Sequence, residues 1–204
     1  MTAAQGAGQI TRATAQPSAW TFTIKPIREL LDRYVGDGKG WVDPFAGQNS
    51  PAEFTNDHDP EAPAKWHMDA EMFCQLASCS KTAADALGIY TSPPYRGVLF
   101  DPPYSYRQIT EHYKRLGMKA TQLDTSANFY NRVMNAICDA VAPGGYAISC
   151  GWNSSGFGKN RGFELVEVLL VNHGFSHHND TIVVVEQKTP TLSQATSGVQ
   201  PQEV

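Results

Sequence analysis

A four-residue run, Gly97-Val98-Leu99-Phe100, ends in Asp101-Pro102-Pro103-Tyr104. A run so short and apolar reads as a parallel strand buried on both faces. The two prolines cannot continue it, because each fixes φ and lacks a donor N–H. The chain therefore leaves the strand through a stiff corner whose carbonyls can accept. In an open α/β sheet, ligands bind beyond the carboxyl ends of the strands, so this corner lies where chemistry is done. An acceptor-only carboxylate, a fixed carbonyl and an aromatic face together suit the holding of a planar heterocycle that carries an amino group.

Strands and helices alternate around this run. Apolar residues Ile27, Leu30, Leu31 and Tyr34 fall at helical spacing, with Gly36 as a stop. Trp41-Val42 enters a strand ending at Asp43, and Glu53 to Asn56 forms a second. Helices are expected over 70–76, 106–116, 129–141 and 163–173, the last stopped by Gly174. Pro143-Gly144-Gly145 reads as a turn before a strand at 146–150, and Thr181 to Glu186 as a final strand. This order predicts a doubly wound, mostly parallel α/β sheet with helices on both faces. Residues 1–18 carry one charge, Arg12, and read as a disordered tail, as do residues 189–204; the folded domain is expected over 19–188.

Asp101-Pro102-Pro103-Tyr104 resembles the catalytic loop of the amino-group DNA methyltransferases of the N6-adenine type. Asp43-Pro44-Phe45-Ala46-Gly47 resembles the same family's methionine-binding loop, although the second glycine, two positions on, is Asn49 here. The resemblance implies a Rossmann-like fold with an antiparallel last strand at or near an edge. It implies S-adenosylmethionine as cofactor, with Asp57 at the ribose hydroxyls and Asp69 at the adenine amino group. Phe22-Thr23-Ile24-Lys25-Pro26 resembles the segment that closes over the methionine end, which makes Lys25 a candidate contact. The implied reaction is methyl transfer to adenine N6 in DNA, with the base flipped from the duplex or taken from a single strand. Asp101 and Pro102 would receive the amino hydrogens and Tyr104 would stack on the base, with Pro103 completing the corner. N4-cytosine methylation, RNA adenine methylation and a catalytically silent nucleic-acid-binding module are the alternatives. A second diproline, Ser92-Pro93-Pro94-Tyr95, resembles the cytosine variant but follows a poorer strand; Tyr95 and Arg96 either line the site or belong to a connection.

The chain carries a net charge of −4 over its 204 residues. Between Pro93 and Gly162 the balance reverses, through Arg96, Arg107, Lys114, Arg115, Lys119, Arg132, Lys159 and Arg161. That excess reads either as a phosphate-facing patch or as a solvated face. Cys74, Cys79, Cys138 and Cys150 lack metal-ligand spacing and read as reduced thiols, so no metal site and a cytoplasmic setting in a bacterial or phage-infected cell are expected. No run is long and apolar enough for a membrane span. There is no room for a separate recognition domain, so target choice is expected from the 105–128 segment, from a mobile 153–162 loop, or from a protein partner.

Overall fold

The computed structural model describes residues 8–79, 93–103, 126–174 and 179–190. Its strands are β1 (Gln9–Thr14), β2 (Trp41–Asp43), β3 (Phe54–Thr55), β4 (Tyr95–Phe100), β5 (Val141–Gly151), β6 (Phe163–Asn172) and β7 (Thr181–Lys188). Its α-helices are α1 (Lys25–Tyr34), α2 (Ala70–Ala77) and α3 (Ala127–Cys138). The strands form one sheet in the order β1-β6-β7-β5-β4-β2-β3. All neighbours pair parallel except β7, which runs antiparallel to both β5 and β6. The last strand is thus antiparallel as expected, but it lies third from the edge because β6 and β1 extend the sheet beyond it.

Alternation along the strands sorts the core onto two faces. Val98, Phe100 and Ala147 join α2 and α3 on one face. Leu99, Ile148 and Cys150 join α1 on the other, together with Phe22 and Ile24 from the segment before it. At Gly97 strand β4 leaves room for a side chain of its neighbour β2: a Cβ there would lie 2.5 Å from the buried Trp41 ring.

Three expectations fail for physical reasons. Residues 163–173 are not a helix; Phe163–Asn172 is strand β6. The pairing with β7 shifts by one residue between Leu165 and Glu167. Such a bulge breaks the two-residue alternation. Glu167 is buried, held by Arg33 Nη2 at 2.9 Å and the Tyr34 hydroxyl at 2.9 Å. Residues 9–14 are not tail but an edge strand, parallel to β6. Edge strands need little apolar content, since one ladder of backbone hydrogen bonds holds them. The 153–162 loop, expected to be mobile, is pinned. Phe157 is buried, and the buried Glu186 carboxylate accepts from Phe157 N at 2.6 Å and Gly158 N at 2.9 Å.

Smaller shifts occur elsewhere. Helix α3 starts at 127, because the Ser126 hydroxyl caps Phe129 N at 3.2 Å, and it ends at Cys138. Residues 142–145 bulge out between two registers of the β4–β5 ladder. The helix expected over 106–116 and residues 191–204 lie outside the described residues. Among the described residues, no helix is long and apolar enough to cross a membrane.

Candidate active site

The strand order β3-β2-β4-β5 sets Asp57, Asp43, Asp101 and Trp152 at neighbouring carboxyl ends along one rim of the sheet. Asp43 is fully buried there. It organises the loop that follows: one carboxylate oxygen accepts from Phe45 N at 2.9 Å, the other from the Ser50 hydroxyl at 2.6 Å. Pro44 is buried and Phe45 half-buried beneath this turn. Gly47 takes φ +52, and its amide donates to Asp57 Oδ2 at 2.8 Å, while Asp57 Oδ1 accepts from Asp59 N at 2.8 Å. The glycine-bearing loop and the acidic residue after β3 are therefore locked together.

Asn56 links this loop to the next one. It is fully buried, its Nδ2 donates to the carbonyls of Pro44 (3.2 Å) and Met68 (3.0 Å), and its Oδ1 accepts from Met68 N at 3.1 Å. Asp69 follows at once, exposed, and caps α2 by accepting from Met72 N at 3.0 Å. Before Asp69, the described residues hold only an isolated bridge between Asn56 and Trp66.

The diproline corner adjoins the same loop. The Phe45 ring meets Phe100 edge-on, with centroids 5.4 Å apart, and Phe100 is the residue before Asp101. Pro102 is buried, and the Pro103 carbonyl accepts a hydrogen bond from the Tyr130 hydroxyl of α3. Burial pushes the Asp43 carboxyl up to about 7; the Ser50 and Phe45 hydrogen bonds oppose that rise, and the charges of Asp101 and Asp57 add to it. Burial also pushes the Cys150 thiol well up, helped by the Asp101 and Asp43 charges. The thiols of Cys74 and Cys138 are raised as well, again chiefly by burial, so none of these three is a ready nucleophile.

The sequence-derived candidates thus divide. Asp43, Pro44, Phe45, Gly47, Asp57, Asp69, Asp101, Pro102 and Pro103 share one rim. Lys25 does not join them: its side chain is exposed and loosely paired with Glu29 at 3.9 Å, as a solvated charge at a helix start. Tyr104 and Ser92 lie outside the described residues. Tyr95 and Arg96 sit at the amino end of β4, with Tyr95 fully buried and Arg96 paired to Asp37 at 3.5 Å. Among the described residues, Arg132 and Arg161 are committed within the chain. Arg132 pairs with Glu71 at 2.8 Å, and Arg161 donates to Asn135, Asn131 and the Phe157 carbonyl.

No family model and no curated protein matches this chain. Solved structures do. The 1,6-didemethyltoxoflavin-N1-methyltransferase of Burkholderia thailandensis, with 1,6-didemethyltoxoflavin and S-adenosylhomocysteine bound, superposes with a TM-score of 0.51 at 10% identity, covering 81% of this chain and 78% of that one. The fold is that of a Rossmann-like methyltransferase. TrmN from Thermus thermophilus (TM-score 0.43, 17% identity, 81% of this chain) and the N-methyltransferase NodS from Bradyrhizobium japonicum WM9 (0.48, 9%, 81% of this chain and 96% of that one) are also similar. The chain covers only 49% of TrmN. Identities this low speak for the fold alone.

Sequence reasoning misses three residues of this rim. Asn56 reads only as a strand end, though a buried amide flanking a ligand loop is a signal in itself. Tyr130 lies 27 residues from the carbonyl it holds. Trp20, at the start of the expected domain and given no role, lies against Gly47: a Cβ on that glycine would be 3.9 Å from its ring.

Proposed function

We propose that this protein is an S-adenosylmethionine-dependent methyltransferase acting on the N6 amino group of adenine in DNA. One observation carries the reading: the turn after β2 and the diproline corner after β4 abut through Phe45 and Phe100. A donor loop and an acceptor corner must be adjacent for a methyl group to pass between them.

The residues present fit the cofactor. Gly47 has a positive φ and no side chain, and nothing described lies nearer than the Trp20 ring to where a Cβ would stand, which leaves a shallow cradle. Asp57 retains acceptor capacity for ribose hydroxyls, since each carboxylate oxygen takes one hydrogen bond of about two it can accept. Asp69 is exposed at the start of α2 and suits an amino group. Bound there, S-adenosylmethionine would supply an electrophilic methyl group on a sulfonium.

The chain's own part is positioning. An aromatic amine is a weak nucleophile because its lone pair is delocalised into the ring. Asp101 and the Pro102 carbonyl would accept its two N–H groups, favouring a pyramidal nitrogen with the lone pair turned toward the donor loop. Tyr130 holds the Pro103 carbonyl from behind and keeps the corner rigid. With the cofactor bound, the nitrogen would gain the methyl carbon as the carbon–sulfur bond breaks with its electrons left on sulfur, and Asp101 or solvent would take the surplus amino proton. A base in duplex DNA must first leave the helix, at a cost of a few kcal/mol.

The test is to express the chain, digest host DNA and RNA to nucleosides, and weigh them by mass spectrometry. N6-methyladenine in DNA is expected, and should vanish with Asp101→Ala. N4-methylcytosine would overturn the base assignment, methylation only in RNA the DNA assignment, and a folded chain yielding no methylated nucleoside would favour the silent module.

A further inference from the structure

We infer that Trp20 forms the outer wall of the cofactor cradle and recognises the positive charge of a sulfonium. The inference rests on the proposed cofactor reading and assigns a residue that the resemblance does not include.

The path of the chain carries the first part. Thr14, the end of β1, pairs with Asn172 at the carboxyl end of β6, and Trp20 lies beside Gly47, just past the end of β2. Five strand spacings separate β1 from β2, about 24 Å at ~4.8 Å each. Six residues reach about 20 Å when extended, so the segment must cross the carboxyl ends of the strands between, bending at Ala19 and Trp20, and the indole spans the remainder. Both ends are tied. Ala15 N donates to the Asn172 carbonyl at 3.0 Å, and His173 Nδ1 lies 3.0 Å from the Ala15 carbonyl. At the other end, Trp20 N donates to Ser18 Oγ at 3.1 Å, and the Trp20 carbonyl accepts from Thr23 Oγ1 at 2.7 Å and Thr23 N at 3.0 Å.

The backbone of Trp20 is therefore fixed while its side chain stays 44% exposed, facing the one glycine of the loop. The next two apolar residues, Phe22 and Ile24, are buried on the α1 face. Had Trp20 been core, it would have followed them. The charge of the rim carries the second part. Asp57 and Asp69 have no ion pair to a described lysine or arginine, so the cradle favours a cation. An indole face is the strongest aromatic partner for a cation. Such a wall holds a charged sulfonium more tightly than a neutral thioether, and so favours release of the demethylated product.

The test is calorimetry of the full chain with S-adenosylmethionine and, separately, S-adenosylhomocysteine, with tryptophan emission followed in parallel. Trp20→Leu should weaken S-adenosylmethionine about tenfold and S-adenosylhomocysteine less than twofold, as expected from a cation–aromatic contact. Trp20→Phe should restore most of the preference. The part of the emission change on binding that Trp20 contributes should be lost in both variants, leaving any from Trp41, Trp66 and Trp152. If folded Trp20→Leu binds both ligands as the wild type does, the inference is overturned while the cofactor reading stands. If it weakens both equally, Trp20 contributes contact but not charge recognition, and the sulfonium claim fails. A wild-type chain that binds neither ligand overturns the cofactor reading and this inference with it.

Discussion

Strand β4 carries a diproline at each end, and the two ends have opposite fates. At the carboxyl end, Asp101-Pro102-Pro103 meets the Asp43–Gly47 turn through Phe100 and Phe45, and Tyr130 braces it. At the amino end, Pro93-Pro94 leads into Tyr95, which is buried, with its hydroxyl donating to the Ala77 carbonyl at 2.7 Å. Arg96 beside it turns to Asp37 and to the Lys39 carbonyl at 3.3 Å. About 20 Å of strand separates the two. A diproline adjoins the turn after β2 or leads into the core according to which end of this parallel strand it occupies. Only at the carboxyl ends do the turns after neighbouring strands face one another.

The sharpest way to break this comparison is to remove one carboxylate from one end. Asp101→Ala should cut methyl transfer at least ~10³-fold, in the upper range for losing a preorganised partner of the reacting group, with little change in melting temperature. Retained activity would make the two ends equivalent. At the amino end the effect should fall on stability. Tyr95→Ala should cost about 3–5 kcal/mol in urea unfolding, as expected for a buried aromatic. Tyr95→Phe should cost about 1–3 kcal/mol by leaving the Ala77 carbonyl unpaired, with kcat unchanged. A large drop in kcat there would return Tyr95 to the site.

Asp43 provides a titration at the carboxyl end. Its folded value of about 7 stands above the ordinary 3.8. The folded state therefore binds the proton more tightly than the unfolded chain. Stability should fall as pH rises from about 4 to about 7 and level off above, by at most about 4 kcal/mol. Asp43→Asn should flatten that fall, because an amide can keep the Phe45 and Ser50 contacts without charge. Parallel pH profiles of unfolding free energy for the two proteins would refute the assignment. The middle of the strand offers the smallest effect. Gly97→Ala forces a methyl group against the Trp41 ring and should cost about 1–3 kcal/mol; a neutral outcome would mean the indole can yield.

What the sequence makes legible is local. Val98-Leu99-Phe100 and Trp41-Val42 are short, apolar and punctuated by Asp-Pro, so strand and corner are both written within a few residues. Strand β6 reads as a helix because Gly174 follows it as a helix stop would, because its bulge at Val166 breaks the two-residue alternation, and because the ion pair that buries Glu167 involves Arg33, far away in sequence. Strand β1 reads as a tail because an edge needs only backbone pairing, which leaves little mark on composition. Asn56, Tyr130 and Trp20 act through partners 12 to 27 residues away, and no local period encodes such contacts. The basic excess after Pro93 is legible as a number but not as a surface: Arg96, Arg132 and Arg161 are each held by partners within the chain.

The most direct test is transfer of labelled methyl from S-adenosylmethionine to unmethylated genomic DNA by the purified chain, with wild type and Asp101→Ala side by side. Label that co-migrates with N6-methyladenine for the wild type, and only background for the variant, is the predicted result. Equal label from both, or none from a wild-type protein that binds S-adenosylmethionine, would contradict the account.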